Sequence, residues 1–187
     1  VLGHLVAEQI WLQKTWIANG IFRVLPGMVP PEGFAGADLA DGELACLSEL
    51  FPSEAKAIEG RRGLWSDTES RILGAHELEA LEKHVAQFVL VEGRVEAIGK
   101  GGGRHFINFG DDWRSDFTVV VPQSVLAGWP IEARHPHFLQ GRALSSLVGQ
   151  KVRVRGWLTS YRGPEVIVDD LTQIEILGPA VRSSSLK

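Results

Sequence analysis

One cysteine, one methionine and one tyrosine stand among 187 residues. A lone Cys46 cannot form an internal disulfide, which excludes a disulfide-stapled scaffold and leaves the compartment open. It falls in an apolar helical stretch with Leu44, Leu47 and Leu50, with no His or Cys at ligand spacing, and reads as a packed core thiol rather than a metal ligand. No apolar run approaches the ~20 residues of a membrane-spanning helix, so no membrane partner is expected. The opening residues Val1 to Ala7 lack the basic lead and small-residue cleavage site of a signal peptide. The chain opens on Val rather than Met, and the expectation is that processing or truncation has removed something or that it begins mid-domain. Neither charge sign dominates: the formal net charge is −4. That balance is uneven along the chain. Residues 1–86 carry 7 Lys and Arg against 13 Asp and Glu, whereas residues 87–187 carry 12 against 10. Only the second half leans, mildly, toward polyanions.

What is present is ordinary globular composition, 44% hydrophobic and 22% charged, and a dense strand rhythm from Phe88 to Leu177. Val89, Val91, Gly93, Val95 and Ala97 alternate with Leu90, Glu92, Arg94 and Glu96, the mark of a half-buried strand. Gly99 to Gly103 reads as a hairpin tip, since it lacks the Lys-Ser/Thr and following helix of a phosphate-binding loop. Arg104 to Phe109 and Asp116 to Val121 supply the next strands, joined by the turn Gly110-Asp-Asp-Trp113. A helix is expected within 123–150 around Leu144, Leu147 and Val148. In Lys151 to Leu158, Val152, Val154 and Leu158 point inward and Arg153, Arg155 and Trp157 outward. Arg162-Gly163-Pro164 makes a last hairpin, after which Val166, Val168, Ile174 and Ile176 complete the set. Five strands broken once by a helix predict an oligonucleotide/oligosaccharide-binding (OB) barrel over 87–178.

The first half is helical and irregular by comparison. Leu2 to Trp11 reads as a strand, Ile10 to Gly20 as a helix ending at Asn19-Gly20, and Ile21 to Leu25 as a short strand. Pro26 to Gly42 reads as a loop. Glu43 to Gly60 reads as a helix that Pro52 must interrupt, with Ser53 capping a fresh start. Ala75 to Ala86 is expected to be helical, within a connector spanning 67–86, and 179–187 is a polar tail.

Leu2-Gly-His-Leu-Val-Ala7, the helix ending in Ala18-Asn-Gly-Ile-Phe-Arg-Val24, and Glu54-Ala-Lys-Ala-Ile-Glu-Gly-Arg-Arg-Gly-Leu-Trp-Ser66 together resemble the C-terminal half of a staphylococcal-nuclease-like (thermonuclease) domain over residues 1–66. Arg62-Gly63-Leu64-Trp65 is the most specific piece. The second half is similar to a domain appended to bacterial thermonuclease-like proteins. The resemblance implies an α+β, mainly β architecture: an incomplete nuclease-like OB half with helices, then a complete five-stranded OB-type β-barrel with one capping helix. It also implies an ancestral calcium-dependent phosphodiester hydrolysis. The family's calcium-binding carboxylates and first arginine belong to an earlier half that is not in this sequence, and its second active-site arginine falls on His4. Arg offers a permanent charge and a planar fork for phosphate, which His does not. No competent nuclease centre and no cofactor are therefore expected, calcium being implied only for a complete family member.

The alternative is a non-catalytic module binding single-stranded DNA or RNA, in which exposed aromatics stack bases and basic residues follow the backbone. Its candidates are Arg94, Lys100, Arg104, Arg114, Arg153, Arg155 and Arg162 for charge, with Phe106, Trp113 and Trp157 for stacking. A protein-interaction barrel is a third option. Arg114 and Asp116 are expected to pin their loop, and Asp111-Asp112 to form a turn rather than a metal site. Oligomeric state is not legible.

Overall fold

The computed structural model describes residues 6–7, 10–25, 37–68, 70–127 and 143–179. His4, the stretch 26–36, residues 128–142, the tail 180–187 and the side chain of Cys46 lie outside the described residues. The chain divides into two compact units, 1–71 and 72–187. Among the described residues no helix is long and apolar enough to cross a membrane.

The first unit carries a minimal hairpin, β1 (Val6–Ala7) with β2 (Ile10–Trp11), followed by α1 (Leu12–Ala18) and α2 (Ala37–Glu59). Helix α2 begins six residues earlier than the sequence suggests and runs straight through Pro52, so the expected break does not occur. Proline forfeits one backbone bond at a cost of about 3 kcal/mol. Here Leu47, Phe51 and Ala57 are buried along the helix, and Ser53 is a helix-interior residue whose hydroxyl donates to the Glu49 carbonyl. Burial of that apolar stripe outweighs the missing bond. Ile21 to Leu25 is not a strand either. Its backbone is tied to a side chain instead, Val24 N–H donating to the buried Glu54 carboxylate at 2.7 Å.

The end of α1 is clasped to a 3₁₀ turn at Gly63–Ser66. Leu64 N–H donates to the Gly20 carbonyl at 2.8 Å. Both Gly20 (φ +69°) and Gly63 (φ +52°) sit in left-handed backbone, and a Cβ on Gly20 would stand 2.0 Å from the Arg62 carbonyl oxygen. The Arg62-Gly63-Leu64-Trp65 motif thus owes its glycine to a close backbone crossing.

The second unit is a mixed eight-stranded sheet with short helices. Its strands are β3 (Leu73–Gly74), β4 (Phe88–Arg94), β5 (Ala97–Gly101), β6 (Arg104–Asn108), β7 (Thr118–Pro122), β8 (Gln150–Ser160), β9 (Pro164–Ile167) and β10 (Ile174–Pro179). Their order is β3-β4-β8-β9-β7-β6-β5, with β10 on β8. β7 and β9 run parallel, as do β3 and β4; the other pairs are antiparallel. Partner exchange takes place between two consecutive residues. Val95 N–H donates to Gln150 on the β8 side, and Glu96 N–H to Asn108 on the β6 side. The β5–β6 tip is tighter than the glycine run suggests. Strand pairing reaches Gly101 opposite Arg104, leaving a two-residue turn of Gly102 and Gly103, both at positive φ.

The core follows the alternation. Val91, Val95, Ile107, Phe117, Val119, Val121, Val152, Val154, Leu158 and Val166 are buried together. α3 (Leu78–Lys83) adds Leu81 to it. Around Leu144, Leu147 and Val148, where a helix is expected within 123–150, the described residues form a 3₁₀ turn, Leu144–Leu147, that buries Leu144 and Leu147 but leaves Val148 exposed. A second short helix, α4 (Gln123–Ala127), follows β7.

Gly20→Ala and Gly63→Ala are each expected to destabilise the protein by more than about 1 kcal/mol in urea denaturation. Gly102→Ala should lose less, because nothing lies within 4 Å of a Cβ there.

Candidate nucleic-acid interface

Two loops and strand β5 meet over the outer face of β6, β7 and β9. Gly99 and Lys100 of β5 lie at one side and the β8–β9 tip, Tyr161-Arg162-Gly163, at another. The β6–β7 connection carries Trp113 and Asp116. Between them is a cleft of about 380 Å³. Strand register sets its floor. Asn108 pairs with Thr118 and Thr118 with Glu165, so three polar side chains stand in one row across three adjacent strands. The row beside it is apolar: Phe106, Val120 and Ile167. Ile107, of opposite parity, is in the core.

Aromatic surface surrounds this floor. Phe106 is half-buried opposite Gly99, whereas Trp113 is 52% and Tyr161 69% exposed. Each of the two exposed rings is backed by a guanidinium, Arg114 at 4.6 Å from the Trp113 centroid and Arg162 at 5.7 Å from that of Tyr161. The loops brace one another. Gly163 brings its backbone so near the Ser115 carbonyl that a Cβ would lie 2.8 Å from that oxygen. Asp116 accepts from Asp112 N–H at 2.8 Å, and Asp112 accepts from Arg114 N–H at 3.1 Å. The loop is therefore pinned by carboxylate-to-backbone bonds, and Arg114 turns its charge to Trp113 instead. Asp170 likewise caps a 3₁₀ turn, accepting from Thr172 N–H at 2.7 Å.

Of the residues singled out from the sequence, Lys100, Phe106, Trp113 and Arg162 line the cleft. Arg114 joins it through Trp113, and the Arg104 charge acts on Glu165. Burial holds the Glu165 carboxyl above the usual range, and Arg104 and Thr159 pull against that rise. Asn108, Thr118, Tyr161 and Glu165 are cleft residues the sequence reading missed. The signal for Tyr161 was available: it is the lone tyrosine, at a hairpin tip beside Arg162.

Four candidates lie elsewhere. Arg94 pairs with Glu96 at 3.0 Å. Trp157 is 63% exposed and meets Phe88 edge-on at 6.1 Å. Arg153 and Arg155 were expected on a free outer face, and that expectation is corrected: Arg153 is buried and Arg155 is 0% exposed. Their charges are consumed in a cross-strand ladder. Arg153 stands between Glu92 on β4 and Glu175 on β10, in direct register with both, with bonds of 2.6 and 3.3 Å. Arg155 reaches Glu175 at 3.2 Å, and Lys151 reaches Glu92 at 2.5 Å. Burial disfavours the Glu92 carboxylate, but hydrogen bonds from Lys151 and Arg153 outweigh it and hold its pKa below the ordinary 4.5.

No protein-family model matches the sequence, and no curated protein matches it. The thermonuclease likeness of residues 1–66 thus gains no support from these comparisons. Solved structures similar to part of the chain include asparaginyl-tRNA synthetase from Pyrococcus horikoshii, at 16% identity and TM-score 0.35, covering 55% of this chain and 22% of that one. The Stn1-Ten1 complex of S. pombe matches at 24% identity and TM-score 0.33, covering 48% and 57%. An OBody bound to hen egg-white lysozyme matches at 16% identity and TM-score 0.31, covering 52% and 88%. The chain spans about a fifth of the synthetase's length. Likenesses of this extent carry no inference about activity.

Glu175→Ala removes an acceptor shared by two buried guanidiniums and is expected to cost about 3 kcal/mol in urea denaturation. Glu92, with its lowered folded-state pKa, contributes stability above the ordinary carboxyl value that is lost as pH falls through the folded one. The stability gap between the parent protein and Glu92→Gln should therefore close on acidification.

Proposed function

We propose that the second unit is a five-stranded OB barrel that binds single-stranded nucleic acid, without catalysis, in the cleft bounded by β5, the β6–β7 connection and the β8–β9 tip. In this reading β4 and β5 are one bent strand, followed by β6, β7, β8 and β9, with β10 as an addition. The parallel β7–β9 pair and the division of residues 88–101 between β8 and β6 support that assignment. The observation that carries the function is the grouping of Phe106, Trp113 and Tyr161 around one cleft with Lys100 and Arg162 at its edge. Aromatic faces accept any base and cations follow the phosphates, which is how OB surfaces hold single strands.

The nuclease reading of residues 1–66 is weaker. Its most specific motif, Arg62 to Trp65, has a structural role in the clasp with Gly20 that requires no catalysis.

Fluorescence anisotropy with labelled thymine nonamers, as DNA and as RNA, tests the proposal. Binding at low salt is expected to weaken steeply as salt rises. Trp113→Ala and Tyr161→Ala should each cost about 1–3 kcal/mol. Lys100→Ala and Arg162→Ala should flatten the salt dependence. The oligonucleotide should remain full length after incubation with calcium. Absence of binding at low salt would favour a protein-interaction barrel, and cleavage would restore the nuclease reading.

A further inference from the structure

The cleft holds more than a non-specific binder needs. Stacking and phosphate contacts require aromatics and cations, but the lining also carries two carboxylates: Asp116, engaged by Asp112 N–H in its own loop, and Glu165 on the floor. An acidic group there repels phosphate, so it calls for a partner with donors. The neighbouring amide is oriented by its own bond. Asn108 Oδ1 accepts from the Thr118 hydroxyl at 3.4 Å, which leaves the amide nitrogen, on the Gly99 side, to donate into the cleft. The register spaces the Asn108 and Glu165 backbones roughly 10 Å apart, two strand separations. Glu165 stands beyond Thr118, while the Asn108 amide nitrogen lies on the opposite, Gly99 side of the same row. The floor therefore offers a two-oxygen acceptor and a donor beneath aromatic walls.

Resting on the reading of this cleft as a single-strand site, we propose that it selects guanine, with Glu165 accepting from the base N1–H and exocyclic N2–H and Asn108 donating to O6. Among the four bases, only guanine presents two adjacent N–H donors beside a carbonyl on its Watson–Crick edge. Adenine and cytosine pair one donor with an acceptor lone pair, which faces an ionised carboxylate unfavourably. Uracil and thymine place a single donor between two carbonyls. Burial raises the Glu165 pKa, and N–H donors from a base would add to the opposing pull of Arg104 and Thr159. The Arg104 charge favours the ionised form that this pairing requires.

The test substitutes the central base of a thymine nonamer with guanine, inosine, adenine or cytosine and measures anisotropy at fixed salt. Guanine is expected to bind about tenfold tighter than the thymine host, the lower end of the discrimination of a good bidentate pair. Inosine, which lacks the exocyclic amine, should lose most of that gain. Glu165→Gln should bring the guanine-to-thymine ratio to about one, whatever it does to affinity for the host. The inosine comparison uses the unaltered protein and so does not depend on the variant's folding. Binding of all oligonucleotides alike, or a guanine preference that survives in Glu165→Gln, would overturn the assignment while leaving the single-strand reading in place. Failure of every oligonucleotide to bind at low salt would overturn both.

Discussion

The second unit depends on the change of hydrogen-bonding partner between Val95 and Glu96. Up to Val95 the strand belongs to β8; from Glu96 it belongs to β6. A straight strand could serve only one neighbour on each edge, and the sheet would remain flat-ended. By passing from β4 to β5 at a residue whose side chain is fully buried, the chain commits two consecutive strands to different parts of the sheet. Valine suits that position because its stiff, branched side chain anchors the junction in the core. The cleft draws on the same event: Gly99 and Lys100 line it because β5 pairs with β6 rather than with β8.

The outer surface is divided into two regions with different chemistry. On the β4–β8–β10 side, Glu92, Arg153 and Glu175 neutralise one another in register, and buried charge is tolerated because each partner is held by strand pairing. Such a ladder fixes register more than it adds stability, since a one-residue slip would place like charges and apolar groups opposite each other. On the β6–β7–β9 side the cations lie on loops and rims, where they remain available to a ligand. Arginine is therefore held in buried ion pairs on one face and exposed to solvent on the other, where Arg104, Arg114 and Arg162 lie.

That division explains how far the sequence could be read. Period-two alternation identified the core residues of β4, β8 and β9, and the turn residues located the hairpins, because those signals are local. The outward parity of Arg153 and Arg155 was also correct, but parity does not say whether a face is covered; β10 and Glu92 supply the ladder from positions 22 and 61 residues away. Pro52 misled for a similar reason. Its local penalty is real, yet burial of Leu47, Phe51 and Ala57 on one helix is a tertiary quantity. Asn108 and Glu165 went unnoticed because nothing near either one in sequence reveals the other. Only the antiparallel β6–β7 and parallel β7–β9 pairings set them in one row with Thr118.

The row also bears on what kind of selectivity this cleft can have. Stacking on Trp113 and Tyr161 discriminates little, since every base has a π-face. Contacts from Lys100 and Arg162 to phosphate carry no sequence information. Discrimination must come from groups that meet base edges and are held still. Asn108, Thr118 and Glu165 are suited to that, since they project from paired strands and share the rigidity of the sheet. Under the proposed function the division of labour would be set by architecture: the rim aromatics and cations would capture a single strand, and the strand-borne row would read the base that reaches the floor.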